Sequence, residues 1–263
     1  MQMLASLAAI GLYLFGCFTL IMQVKKRPLH NPKAFSFIFS AAIIAHLIAI
    51  QYTAFPGQIL HLGIVNVSSL IFCVIAIISL IAYLRRLEVE NLIILLLPLA
   101  AISIACAQWL PNVDKKINDT GLIIHIVLSI VAYSLITLAS LQAILVGIQE
   151  QQLRSHNFKG IFSYFPPLQT MELLLFDIIL GGTIMLTLAI ASGFVFLDDM
   201  FAQHLVHKTI LSIIAWGLFS VLLWGHHKLG WRGPAAIKWT IIGFLALMLA
   251  YFGSKFVLEV ILR

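Results

Sequence analysis

The chain is a succession of long apolar runs separated by short polar breaks. A bilayer core about 30 Å thick takes roughly 20 apolar residues per helix. Eight runs reach or approach that length: about Met3 to Gln23, Phe35 to Phe55, Ile59 to Leu84, Leu92 to Leu110, Gly121 to Ile148, Leu173 to Leu197, Thr209 to Gly225 and Ile237 to Ile261. The seventh is short and depends on flanking polar residues to anchor it. A membrane-spanning barrel would show alternation over about ten residues per strand, and NLIILLLPLAAISIACA shows none. The expected fold class is therefore all-α, a polytopic integral membrane helix bundle of about eight transmembrane helices. Pro98 in the fourth run and Gly181-Gly182 in the sixth permit a kink or a close helix contact.

Composition sharpens this expectation. The 263 residues are 62% hydrophobic and 10% charged, against about 45–50% apolar and about 25% charged in ordinary soluble domains. A mean hydropathy of +1.06 is spread over the whole length, and no polar block is long enough to fold alone. A soluble globular protein and an extramembrane catalytic domain are both excluded, and residues 1–263 read as a single transmembrane domain. The first run has no basic residue before it and no small-residue cleavage site after it, so it reads as a retained span with the chain starting at Met1. Cys17, Cys73 and Cys106 fall inside apolar runs without a CxxC or CxxCH pair and read as small packed hydrophobes.

The formal charge of +6 reports orientation rather than a nucleic-acid partner. The loops after runs one, three, five and seven hold Lys25, Lys26, Arg27, Lys33, Arg85, Arg86, Arg154, Lys159, Lys228, Arg232 and Lys238. The other side holds Lys115, Lys116, Lys208, Lys255 and Arg263. The positive-inside rule then puts both termini outside. The longest inner loop, EQQLRSHNFKGIFSYFPPLQ, reads as an interfacial connector.

Nine histidines are the main chemical resource. With a rise of about 1.5 Å per residue, His61 and His125 lie near the outer face, with His204 and His207 in the loop above. His46 sits near mid-membrane, His226 and His227 at the inner end of span seven, and His30 and His156 in inner loops. Imidazole is a usual axial ligand of haem iron, and two ligands of one iron must share a depth. His125 can face His61 or His207, whereas pairing His46 with His226 requires tilted or broken helices. The competing reading of an intramembrane histidine is a hydrogen-bonded contact between helices, which carries even weight for His46 and more for His61.

Asp177, a turn or so inside span six, needs a partner or water. Pairing with an inner-loop Arg is favoured over a proton relay. Glu172 suits the mouth of that helix. Asn66, Ser68 and Ser69 form a polar patch that reads first as interhelical glue, then as a solute or haem-propionate contact. Trp216, Trp224, Trp231 and Trp239 cluster around span seven, and interface belts account for Trp231 and Trp239. No HExxH, GxSxG, Walker loop or helix-opening GxGxxG is present.

An ordered series of segments then carries a resemblance: GLIIHIVLSIVAYSLITLASLQAIL, FPPLQTMELLLFDIILGGTIMLTLAIASGF, HKTILSIIAWGLFSVLLWGHHKLGWRG and IIGFLALMLAYFGSK. Over about residues 121–255 the chain resembles the cytochrome c assembly family, the CcsA/CcmC-type haem-handling membrane proteins, and within it the YpjD-like inner-membrane branch. LGIVNVSSLIF is similar to the family's polar segment in the first half. The resemblance implies haem b held through histidine ligands and a location in the bacterial inner (cytoplasmic) membrane. It also implies partners among other cytochrome c maturation or membrane subunits, beside the lipid bilayer and haem itself. Carried over by position, the ligands of the haem iron are His125, His226, with His227 as its neighbouring alternative, and His46.

Two departures stand out. The family's Trp-rich outer loop is replaced by FLDDMFAQHLVHKT, and no histidine follows the YFG segment. His207 is the candidate to substitute in the altered loop, the other outcome being loss of an outer site. The expected function is to hold and orient haem rather than to turn over a substrate. The alternatives are a small-solute transporter or transport accessory subunit, with the histidines and Asp177 lining a polar path, and a non-haem membrane scaffold on the same fold.

Overall fold

A computed structural model describes residues 2–25, 32–55, 63–110, 120–155, 164–196 and 206–253. Among them eight helices follow one another: α1 Gln2–Lys25, α2 Pro32–Ala54, α3 Ile64–Leu84, α4 Glu90–Trp109, α5 Thr120–Arg154, α6 Leu168–Phe196, α7 Val206–Leu229 and α8 Pro234–Met248. A π-helical turn, Leu249–Gly253, continues α8. No strand occurs among the described residues. Each of the eight, α8 counted with its π turn, is long and apolar enough to cross a membrane. The chain is an all-α, polytopic membrane helix bundle.

The helices run past several of the apolar limits. α6 starts at Leu168 and takes Gln169, Thr170 and Glu172 into its first turns, and the short seventh run becomes a 24-residue helix that includes His226, His227 and Lys228. Helix backbone satisfies itself wherever the side chains point, so polar residues extend these helices beyond the apolar core.

The chain divides into two compact units, α1–α4 and α5–α8. In the first, α1 packs on α2 and α4, and α3 on α2 and α4. The buried stripe of α1 is Ser6, Ala9, Tyr13, Gly16 and Leu20, the three-and-four spacing of one helix face. Pro98 inside α4 has no N–H to donate, which leaves the carbonyl of Ile94 without its helical partner. The Cys17 thiol donates to that carbonyl at 3.6 Å. Cys17 is thus more than a packed hydrophobe.

In the second unit α5 packs on α6 and α8, and α7 on α6 and α8. Gly182 is where α6 comes closest to α5, since a Cβ there would lie 3.0 Å from the side chain of Ile136 and 3.6 Å from its backbone nitrogen. Gly243 similarly seats α8 under the ring of Phe219 on α7. Tyr133 ties α5 to α8 by donating its hydroxyl to the Leu247 carbonyl at 3.0 Å, just before the π turn.

Candidate functional site

Three of the sequence-selected histidines lie in well-defined surroundings, and they fall into two kinds. His46, on α2 in the first unit, is completely buried. Its Nδ1 lies 3.1 Å from the Tyr13 hydroxyl on α1, and its Nε2 lies 2.9 Å from the Ser69 hydroxyl on α3. A neutral imidazole has one donor and one acceptor nitrogen, so the chain runs either from Tyr13 through His46 to Ser69 or the reverse. Both nitrogens are used. The arrangement matches an interhelical contact and leaves no lone pair for an iron. Asn66, one turn from Ser69, donates its amide to the Thr53 carbonyl at 3.0 Å, so the polar patch of span three also joins helices.

His125, near the start of α5 in the second unit, is different. Its Nδ1 lies 3.0 Å from the Ala189 carbonyl and 3.1 Å from the Ser192 hydroxyl on α6. A carbonyl only accepts, so Nδ1 carries the hydrogen. Ser192 itself donates to the Ala189 carbonyl at 2.8 Å, completing the anchor. With Nδ1 protonated in a neutral ring, Nε2 holds the lone pair, and no described residue takes it.

His226 repeats the pattern at the far end of α7. Its Nδ1 lies 2.8 Å from the Trp231 carbonyl, which again fixes the hydrogen on Nδ1 and the lone pair on Nε2. The ring is stacked on Phe176 of α6, with centroids 3.5 Å apart and planes 16° apart. The segment Gly230-Trp231-Arg232-Gly233 explains how a carbonyl comes to face back onto α7. Gly230 and Gly233 take φ of +68° and +57°, a region that side chains disfavour. The Trp231 N–H donates to the Gly225 carbonyl at 3.2 Å, and the indole lies so close over Gly225 that a Cβ there would collide with its ring carbons. Trp239 stacks on the same indole, 5.9 Å away. Trp231 is therefore a structural part of the site.

His227, beside His226, is exposed, as is His207 on the first turn of α7. Neither shares the backbone anchor. His30, His61, His156 and His204 lie outside the described residues, as do residues 197–205 of the FLDDMFAQHLVHKT segment. Asp177 is exposed on α6 and makes no ion pair with a described residue, so the expected Arg partner is not found among them. The ion pair Arg154–Glu150, at 2.6 Å, lies within α5.

The model of the family described as cytochrome C assembly protein matches residues 3–262. The chain belongs to the cytochrome c assembly family. Among family relatives, it is 34% identical over 231 residues to the inner membrane protein YpjD of Escherichia coli K12, covering 84% of each chain. It is also similar to the protein HemX of Brevibacillus brevis, 20% identical over 143 residues, or 54% of this chain and 53% of that one. No solved structure matches the chain.

The donors of the second unit fit the haem that the family resemblance implies. Among the described residues no three His, Cys, Asp or Glu come together to hold a bare metal ion. A porphyrin supplies four nitrogens of its own, so one or two protein ligands suffice. An imidazole whose Nδ1–H is held by a carbonyl is the common arrangement of a metal-ligating histidine, and His125 and His226 both have it. Sequence reasoning selected both rings but not their anchors, since Ala189 and Trp231 act through backbone carbonyls that every residue type carries.

Proposed function

We propose that this cytochrome c assembly protein is a haem-handling protein that holds haem b through the Nε2 atoms of His125 and His226. One observation carries the reading: both rings are pinned by Nδ1–H to a backbone carbonyl, with Nε2 left as a lone-pair donor. Haem bound there would supply the iron that such donors hold. The protein's part is to orient the rings, fix their tautomer and raise their basicity through the carbonyl bond.

The two rings serve separate positions. His125 bonds to α6 at Ala189 and His226 stacks on Phe176, thirteen residues apart and so about 20 Å along the helix. One iron cannot take both. On the charge-based orientation His125 stands near the outer face and His226 near the inner face of the inner membrane. The site offers binding and presentation to maturation partners rather than substrate turnover. His46, with both nitrogens engaged, serves the packing of the first unit instead of ligating iron.

The test is an absorption spectrum with pyridine-haemochrome quantitation on detergent-purified full-length protein expressed with a haem precursor. Stoichiometric haem that falls in His125→Ala and His226→Ala but not in His30→Ala is the expected result. Absence of a Soret band would overturn the proposal in favour of a transport or scaffold role.

A further inference from the structure

The Trp231 carbonyl can anchor His226 only if the segment between α7 and α8 is itself held. Gly230 and Gly233 let the backbone turn, but glycines enlarge the choice of conformations rather than narrowing it. The narrowing comes from outside the segment. Glu172, on the second turn of α6, accepts a hydrogen bond from the Gly233 N–H at 2.8 Å. Gly233 precedes Pro234, the first residue of α8, so this bond fixes the point from which α8 departs. The Glu150 carboxylate of α5 also approaches, 3.8 Å from where a Gly233 Cβ would lie, but it is paired with Arg154. The Trp231 N–H bond to the Gly225 carbonyl holds the loop to α7, and Glu172 is the side chain that bonds its far end.

We infer that Glu172 is a positioning residue for His226: its carboxylate fixes Gly233, the fixed loop presents the Trp231 carbonyl, and that carbonyl sets the tautomer and direction of the His226 ring. The path is continuous through Glu172 to the Gly233 N–H at 2.8 Å, two residues back to Trp231, and from the Trp231 carbonyl to Nδ1 at 2.8 Å. Phe176, one turn after Glu172 on α6, stacks on the same imidazole. One helix therefore supplies both the flat support of the ring and the hold on its hydrogen-bond acceptor. Glu172 makes this bond as an acceptor, so an amide oxygen at the same reach can replace it, whereas a shorter carboxylate cannot. The role at a haem ligand rests on the proposed function; the control of the tautomer does not.

The experiment uses the full-length protein in detergent, with Glu172→Ala, Glu172→Asp, Glu172→Gln and His226→Ala compared with the parent. Histidine labelled with nitrogen-15 reports the protonated nitrogen of His226 without haem, and titration with haem reports affinity. The expected result is that Glu172→Ala and Glu172→Asp lose the fixed Nδ1–H signal of His226 and weaken haem binding about tenfold, at the low end for residues supporting a metal ligand. Glu172→Gln restores both, a rescue that loss of a general structural charge would not give. Should Glu172→Ala fail to fold, the Asp and Gln variants carry the same contrast. An unchanged His226 signal in Glu172→Asp, or a Gln variant as impaired as Asp, would overturn the inference. If His226→Ala leaves haem affinity unchanged, the haem reading of His226 fails, and the nitrogen-15 signal still decides whether Glu172 positions the ring.

Discussion

The two four-helix units each bury histidine chemistry in an apolar bundle, yet they use the same ring in opposite ways. In the α1–α4 unit, His46 is completely enclosed and spends both nitrogens on hydroxyls from two neighbouring helices. In the α5–α8 unit, His125 and His226 each spend Nδ1 on a backbone carbonyl and keep Nε2. Hydroxyl partners can donate or accept, so they leave the tautomer of His46 open to either direction. Carbonyl partners accept only, so they dictate it. An imidazole between two hydroxyls ties helices together, and an imidazole against one carbonyl keeps a lone pair on its other nitrogen.

The largest effect expected from that contrast is on haem. The double variant His125→Ala/His226→Ala should lose haem by at least the 10–100-fold that removal of even a supporting residue costs a metal site, while His46→Ala should retain it once protein is matched for folded content. Haemochrome quantitation checks both, and free imidazole should partly restore the double variant. Haem loss in folded His46→Ala equal to that in the double variant would dissolve the distinction between the units.

Next comes stability. His46→Ala leaves the hydroxyls of Tyr13 and Ser69 facing each other across a void, both buried. Unsatisfied buried polar groups cost about 1–3 kcal/mol each, so for the two hydroxyls a total of about 2–6 kcal/mol is expected in denaturant titration of the detergent-solubilised protein. His125→Ala, on a ring that is only half-buried, should cost less. A smaller step belongs to the loop: Gly225→Ala puts a methyl group where the Trp231 indole lies. Overpacking of this kind costs about 1–3 kcal/mol. The indole must shift, so Trp fluorescence should change and haem at His226 should weaken severalfold with His125 unaffected.

The same contrasts mark which features a linear sequence can carry. The eight spans were legible because continuous apolarity over about 20 residues matches the length of helix that a bilayer core requires. Their ends were less so: the polar residues Gln169, Thr170 and Glu172 lie inside α6, and the π turn at Leu249–Gly253 leaves no mark on hydropathy. For the site, the rings were visible and their surroundings were not. Tyr13 and Ser69 lie 33 and 23 residues from His46, beyond any local pattern, so ligand and packing contact carried equal weight there. The GWRG segment was visible as a motif, but its reason is conformational: two positive φ angles and an indole that needs a glycine beneath it. Glu172 looked like a helix-end carboxylate, because an acceptor for a loop N–H 61 residues away has no sequence signature.

The smallest expected effect tests the first unit most finely. Tyr13→Phe removes one hydroxyl and leaves both ring and shape in place, including the edge-on contact with the imidazole at 5.7 Å. His46 then has one partner, Ser69, and it can choose the tautomer that suits: Nε2–H donated to the Ser69 hydroxyl, with Nδ1 as an unfilled acceptor. A single interhelical hydrogen bond in a membrane averages about 0.6 kcal/mol, and a loss of that order is expected in the same titration, well below that of His46→Ala. The freedom to change tautomer is what keeps the cost low. At His226 no such freedom exists, because a carbonyl gives the ring only one way to bond. A Tyr13→Phe loss as large as that of His46→Ala would mean that the three groups act as one unit of fixed direction, and the difference drawn between hydroxyl-held and carbonyl-held rings would no longer hold.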